Sequence, residues 1–170
     1  AMRKAEAANE AFLRCHQQDP ADLEAALAAT QARWRAAELA DRIVKGARDE
    51  AERDALRASA AAHRQACQET LVRLESEFPD SAEPSFQLAV LAERTGEAAA
   101  ATAAYERALQ RDADHVDALL NLAARLADSD PSRAATMLRR ALTAKDHRRS
   151  LSEGERRRIE AWLERVGSNG

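Results

Sequence analysis

The sequence predicts an all-α protein, and three observations carry that prediction. Alanine accounts for 42 of the 170 residues, against 5 Gly, 4 Pro and 6 aromatic residues, a composition that favours helices over strands. Apolar residues recur at spacings of three and four along most of the chain, which places them on one face of a helix. The few capping and breaking residues fall between these stretches, at Asp19-Pro20, Pro79-Asp80, Gly96-Glu97, Asp130-Pro131 and Ser150. Because alanine buries little apolar area per residue, the core must come from close helix packing rather than from large side chains.

Taken in order, Ala5, Ala8, Phe12 and Cys15 share one face of a short first helix. Asp19 then reads as an N-cap with Pro20 at the first helical position, starting a helix near residue 20. Its seam runs through Leu23, Leu27, Thr30, Trp34 and Ala37 and slips onto Ala40, Ile43 and Val44. At Lys45-Gly46 two readings stand. Asp49 with Glu52 caps a new helix, or the seam Ala51, Ala55, Ala58, Ala62 continues one unbroken rod; two helices are favoured. Cys67, Leu71, Leu74 and Phe78 close this stretch before Pro79. Asp80 with Glu83, and Ser150 with Glu153, have the spacing of capping boxes and predict helix starts near 81 and 151. Asp130-Pro131 predicts another near 131.

The strongest signal is an internal repeat. At an offset of 34, Phe86 meets Leu120, Leu88 meets Leu122, Ala89 meets Ala123 and Ala92 meets Leu126. At an offset of 33, Ala101 meets Ala134, Tyr105 meets Leu138, Ala108 meets Ala141 and Leu109 meets Leu142. One residue is lost between the two helices of a copy, where Gly96-Glu97 in the first corresponds to the turn 128–131 in the second. A turn absorbs such a change without disturbing packing.

These residues resemble the tetratricopeptide repeat, a 34-residue helix-turn-helix unit. Leu88-Ala89 stand at the family's Leu-Gly pair, Gly96 at its turn glycine, and Ala101, Tyr105 and Ala108 at the three second-helix positions. Leu122-Ala123, Ala134, Leu138 and Ala141 do the same in the second copy. The departures are Ser85 and Leu119 for the usual Trp, Ala92 and Leu126 for the Tyr, and Ala113 where Pro is common. The resemblance, best over 82–142, implies a helical-hairpin array, an α-solenoid, with repeats at 82–115 and 116–148. Residues 151–166 would cap it: Ile159, Trp162, Leu163 and Val166 form a stripe with charged residues around it. Residues 1–80 then form a long-helix region, a divergent cap or degenerate repeat, and 81–170 the repeats and cap, with one cooperative unit expected throughout.

The resemblance also implies a function: a non-catalytic adaptor, scaffold or assembly module that holds a protein partner, peptide or helix, in the groove lined by the first helices. Carried over by position, the groove consists of Phe86, Val90 and Glu93 in the first copy and Asp117, Leu120, Asn121 and Ala124 in the second. Asn121 resembles the Asn by which some members hold a peptide backbone. Members that clamp a terminal carboxylate place Lys and Asn in the preceding repeat, where this chain has Phe86 and Val90, so an apolar helix or extended segment is the expected ligand.

The net charge of −3 divides unevenly: residues 133–170 sum to +5 and the rest to −8. A competing reading is therefore a basic surface for nucleic acid or an acidic protein, built from Arg139, Arg140, Lys145, Arg148, Arg149, Arg156, Arg157 and Arg158. No stacking aromatics accompany those arginines, so nucleic acid is the less favoured partner. A coiled-coil homodimer through the long N-terminal helices is a third reading. Cys15 and Cys67 read as small buried residues, and Trp34 and Trp162 as core. His16, His63, His115 and His147 lie far apart in sequence, and Cys15-His16 point about 100° apart on a helix, which suits neither a metal nor a nucleophile. No phosphate loop, HExxH or nucleophile elbow is present, so neither a cofactor nor a reaction is implied. The longest charge-free stretch, Pro84 to Ala92, is nine residues, far below the roughly 20 that span a bilayer. No signal-peptide pattern is visible and Ala1-Met2 looks like an expression scar; a cytoplasmic chain is expected first, then a soluble periplasmic or anchored domain.

Overall fold

A computed structural model of the chain describes residues 22–47, 49–146 and 148–167. Every element among them is a helix: α1 (Leu23–Val44), α2 (Glu50–Glu77), α3 (Glu83–Thr95), α4 (Ala98–Arg111), α5 (Val116–Leu126), α6 (Pro131–Thr143) and α7 (Glu153–Gly167). The helix expected over Ala5 to Cys15, and the Asp19-Pro20 start, lie outside the described residues. The fold separates into two compact units meeting in sequence at Phe78 and Pro79.

The first unit contains α1 and α2, which pack on each other. The chain breaks at Lys45-Gly46, and Asp49 starts α2 by accepting the Glu52 N–H at 2.7 Å. Asp22 does the same for α1 with the Ala25 N–H at 3.0 Å. Ala37 and Ala40 meet Leu56 and Ala60 in a shared core, and the Cys67 thiol donates to the Thr30 carbonyl at 3.3 Å. Early α1 residues thus face late α2 residues, so the pair is antiparallel. The α2 seam differs from the expected one. Ala51, Ala55, Ala58 and Ala62 are exposed, and Leu56, Ala60, Cys67, Leu71 and Leu74 are buried. Burying one leucine removes more apolar area from water than burying one alanine, so Leu56 rather than Ala55 sets the rotation of the helix.

The second unit is built from sequential neighbours: α3 packs on α4, α4 on α5, α5 on α6, and α6 on α7. The helices approach closely because small residues stand at the contacts, with Ala89, Ala101, Ala108, Ala134 and Ala141 all buried. Gly96 ends α3 in the left-handed region at φ 81°, a conformation a Cβ penalises. Asp130 caps α6 through the Arg133 N–H at 2.9 Å with Pro131 in the first turn. The other two expected caps are corrected. Asp80 and Glu83 form no capping box: α3 starts after Ala82 without a side-chain cap bond, and the Glu83 carboxylate instead takes the Gln87 amide at 2.9 Å. For α7 the box is Ser152 with Glu155, two residues later than expected. Leu151 is drawn into the core with Val116, Leu119, Ala141 and Ile159, and that burial holds the chain extended past Ser150.

Candidate partner-binding groove

The expected groove residues lie on α3 and α5, the first helix of each hairpin. Several are tied to the interior before any ligand is considered. Tyr105 of α4 is fully buried, and its hydroxyl donates to the Glu93 carboxylate of α3 at 2.8 Å while accepting from the Asn121 amide of α5 at 3.0 Å. Arg125 of α5 completes the chain, reaching Glu93 at 3.2 Å, the Thr102 hydroxyl at 3.2 Å and the Ala98 carbonyl at 2.7 Å. Burial raises the Tyr105 hydroxyl well above its usual pKa and the bond to Glu93 raises it further, so it remains a neutral donor. Three helices from two repeats are thereby joined through one phenol. The Asn121 amide keeps its carbonyl oxygen and second N–H outside this chain of bonds.

Phe86 does not simply face outward. Its ring packs on His115 at a centroid distance of 4.6 Å and on Tyr105 at 6.0 Å. His115 is buried and caps α5, its Nδ1 accepting the Ala118 N–H at 3.3 Å. That bond requires Nδ1 to be unprotonated, which places the proton on Nε2, 3.5 Å from the Glu83 carboxylate. Burial raises the Glu83 carboxyl, but the bonds from His115 and Gln87 outweigh it and bring the net shift downward. His115 is a functional part of the framework that the sequence reading passed over, because histidine is not among the preferred N-caps. A second cap reaches α5 from the loop after α6: Asp146 accepts the Val116 N–H at 3.0 Å and the Arg148 N–H at 2.8 Å.

Ser85, standing where the repeat usually has Trp, is completely buried, and the Arg111 guanidinium of α4 donates to its hydroxyl. The apolar ring is thus replaced by a polar contact across the hairpin.

The remaining groove residues divide. Val90 is half-buried on α3. Asp117 is paired with Arg149, which also holds Glu155. Leu120 and Ala124, one helical turn apart on α5, open onto α7 and form a trough of about 480 Å³ with Leu138, Ile159 and Trp162. Trp162 is therefore not a core residue. It is half-buried and forms a wall of this trough, because it lies on the Arg158 side of the α7 stripe rather than on the Ile159 line that enters the core.

The arginines of the basic third are interleaved with acids. Arg148 pairs with Asp112 and Asp146, Arg149 with Asp117 and Glu155, Arg157 with Glu153, and Arg140 lies 3.9 Å from Asp114. Arg156 donates to the Leu142 carbonyl at 3.1 Å, and the Lys145 backbone N–H to Asp114 at 3.2 Å. Arg139 and Arg158 make no ion pair among the described residues. No group of three His, Cys, Asp or Glu side chains suited to a metal occurs among the described residues, and no described helix is long and apolar enough to cross a membrane.

The helix packing is that of a TPR-like helical-hairpin array: two hairpins, α3/α4 and α5/α6, followed by α7 packed on α6. Among solved structures the chain is similar to MamA, at TM-score 0.46 and 19% identity over 82% of this chain and 87% of that one. It is also similar to YrrB, described as a TPR protein with an unusual peptide-binding site, at TM-score 0.43 and 16% identity over 86% and 81%. No family model matches the chain, and no curated protein matches it. The hairpin packing itself, not these likenesses, carries the fold assignment.

Proposed function

We propose that the chain is a non-catalytic protein-interaction module that holds a segment of a partner on the α5 and α7 side of the array. The observation that carries this reading is the trough between Leu120, Ala124 and Trp162, an apolar recess left open on a unit whose other large apolar side chains are mostly packed. Asn121 stands next to it in sequence on α5, with its amide oriented by Tyr105 and hydrogen-bonding capacity to spare for a peptide backbone. Preorganisation of that kind lowers the entropic cost of binding. The acid–base pairs that surround the arginines leave this recess, rather than a cationic face, as the most distinctive surface.

A partner recovered from cell extract and reconstituted from purified components tests the reading. Ala124 is exposed, so Ala124→Gln extends into the trough without adding a charge and is expected to leave the fold intact. Its expected effect is a loss of affinity of about 1 to 2 kcal/mol, the range for a substantial interface residue. Asn121→Ala is expected to weaken binding as well. A partner bound with unchanged affinity by both variants uses another surface.

A further inference from the structure

The trough between α5 and α7 is lined by one cationic side chain that no described residue pairs with. Arg158 lines it, on the same α7 face as Glu155, Ile159 and Trp162, and has no ion-pair partner among the described residues. Glu155, three residues away, lines the trough too, but its carboxylate is already bonded within the chain. Its carboxylate accepts the Ser152 N–H at 2.9 Å and the Ser152 hydroxyl at 2.7 Å, and pairs with Arg149. Those bonds hold the Glu155 carboxyl down at about 2, so it stays ionised and fully committed to its partners. The trough therefore presents apolar walls, Leu120, Ala124 and Trp162, with an exposed guanidinium among its lining residues that is unpaired among the described residues, while the Glu155 carboxylate beside it is held by Ser152 and Arg149.

We propose that this trough takes a partner segment in which a bulky apolar residue enters between Leu120 and Trp162 while a side-chain carboxylate next to it pairs with Arg158. The inference rests on the groove reading above and adds the chemistry of the occupant. Charge complementarity selects the acid: an unpaired guanidinium beside low-dielectric walls attracts a carboxylate and rejects a cationic segment. Geometry of the donors selects its source. A chain-terminal carboxylate held in a groove is met by several converging donors, whereas Arg158 is a single exposed guanidinium, which suits the reach of an Asp or Glu side chain.

Selection of random 16-residue peptides displayed on phage, using the full chain as bait, tests this directly. Recovered clones are expected to combine Leu, Phe or Trp with a neighbouring Asp or Glu. A synthetic peptide from the pool, amidated at its C-terminus, is expected to bind as well as its free-acid form. Its binding should fall about tenfold or more on Arg158→Glu and recover there when the peptide's acid is replaced by Lys. Peptides that lose binding to Ala124→Gln but bind Arg158→Glu unchanged overturn the carboxylate pairing and leave the groove intact. Amidation that abolishes binding overturns the side-chain source. A pool in which no clone distinguishes the chain from Ala124→Gln overturns the groove reading and this inference together.

Discussion

Replacing Tyr105 with alanine is expected to remove about 3 to 5 kcal/mol of stability from the repeat unit, the range for truncating a fully buried aromatic. The residue has no accessible surface, its ring meets Phe86, and its hydroxyl joins Glu93 of α3 to Asn121 of α5. Truncation therefore leaves a cavity at the junction of three helices and strips two polar groups of a partner, and the two costs add. Tyr105→Phe separates them: it keeps the ring, loses only the hydroxyl, and is expected to cost about 1 to 3 kcal/mol through the polar groups left unsatisfied. Urea unfolding followed by helical circular dichroism measures both. A Tyr105→Ala chain within 1 kcal/mol of the parent, a margin ordinarily seen at exposed sites, would show that this junction does not hold the repeats together.

The second large effect is expected at Leu119. This residue is inaccessible and sits in the cluster where α5, α6 and α7 meet, with Val116, Ala141, Leu151 and Ile159. Leu119→Ala is expected to cost about 2 to 5 kcal/mol, according to how far the cluster collapses around the void. The loss falls on the end of the array, where α7 has α6 as its main helical neighbour. A stack of repeats depends on its terminal cap to cover apolar surface, so loosening α7 uncovers the last hairpin. Leu120→Ala is the control. Leu120 lies one position further along α5, is half-buried, and packs against the edge of the same cluster while lining the trough, so its truncation is expected to cost about 1 kcal/mol, clearly less than that of Leu119. Equal losses at 119 and 120 would contradict the division between core and binding face.

Much of the architecture was legible in the sequence because its signals were local or periodic. The offset of 34, shortened to 33 after the first helix, placed Ala101 opposite Ala134 and Ala108 opposite Ala141, and all four are buried at helix contacts. Asp130-Pro131 was readable as a helix start because the cap and the ring both act within one turn. The errors arose where tertiary contacts outweighed local preference. Ser150 with Glu153 fits a capping box as well as Ser152 with Glu155 does, and only the burial of Leu151 decides between them. Glu83 was assigned to its own helix end, yet its carboxylate faces His115, more than thirty residues away in sequence. In α2, alanines recur on two neighbouring faces, and the choice belongs to Leu56 and Cys67, which the alanine pattern does not register.

Of the proposed groove, the sequence made two lining residues legible and left the rest hidden. Leu120 and Ala124 were placed by the repeat alignment, and they do line an open recess. The far wall was not visible, because Trp162 and Ile159 belong to the same apolar stripe and nothing in that stripe says which one enters the core. The roles of Glu93 and Asn121 in the Tyr105 network were hidden for a related reason. Each lies on a different helix, and the bonds that join them depend on how closely alanine lets those helices approach.

Hydrogen exchange of the chain with and without a bound partner segment tests the central claim most directly. The account predicts the largest slowing of exchange in 116–127 and 153–166, on the two helices that supply most of the trough lining, a smaller effect around Leu138 in 131–143, and little change in 98–111. Protection confined to those second helices, or to residues 23–77, would contradict it.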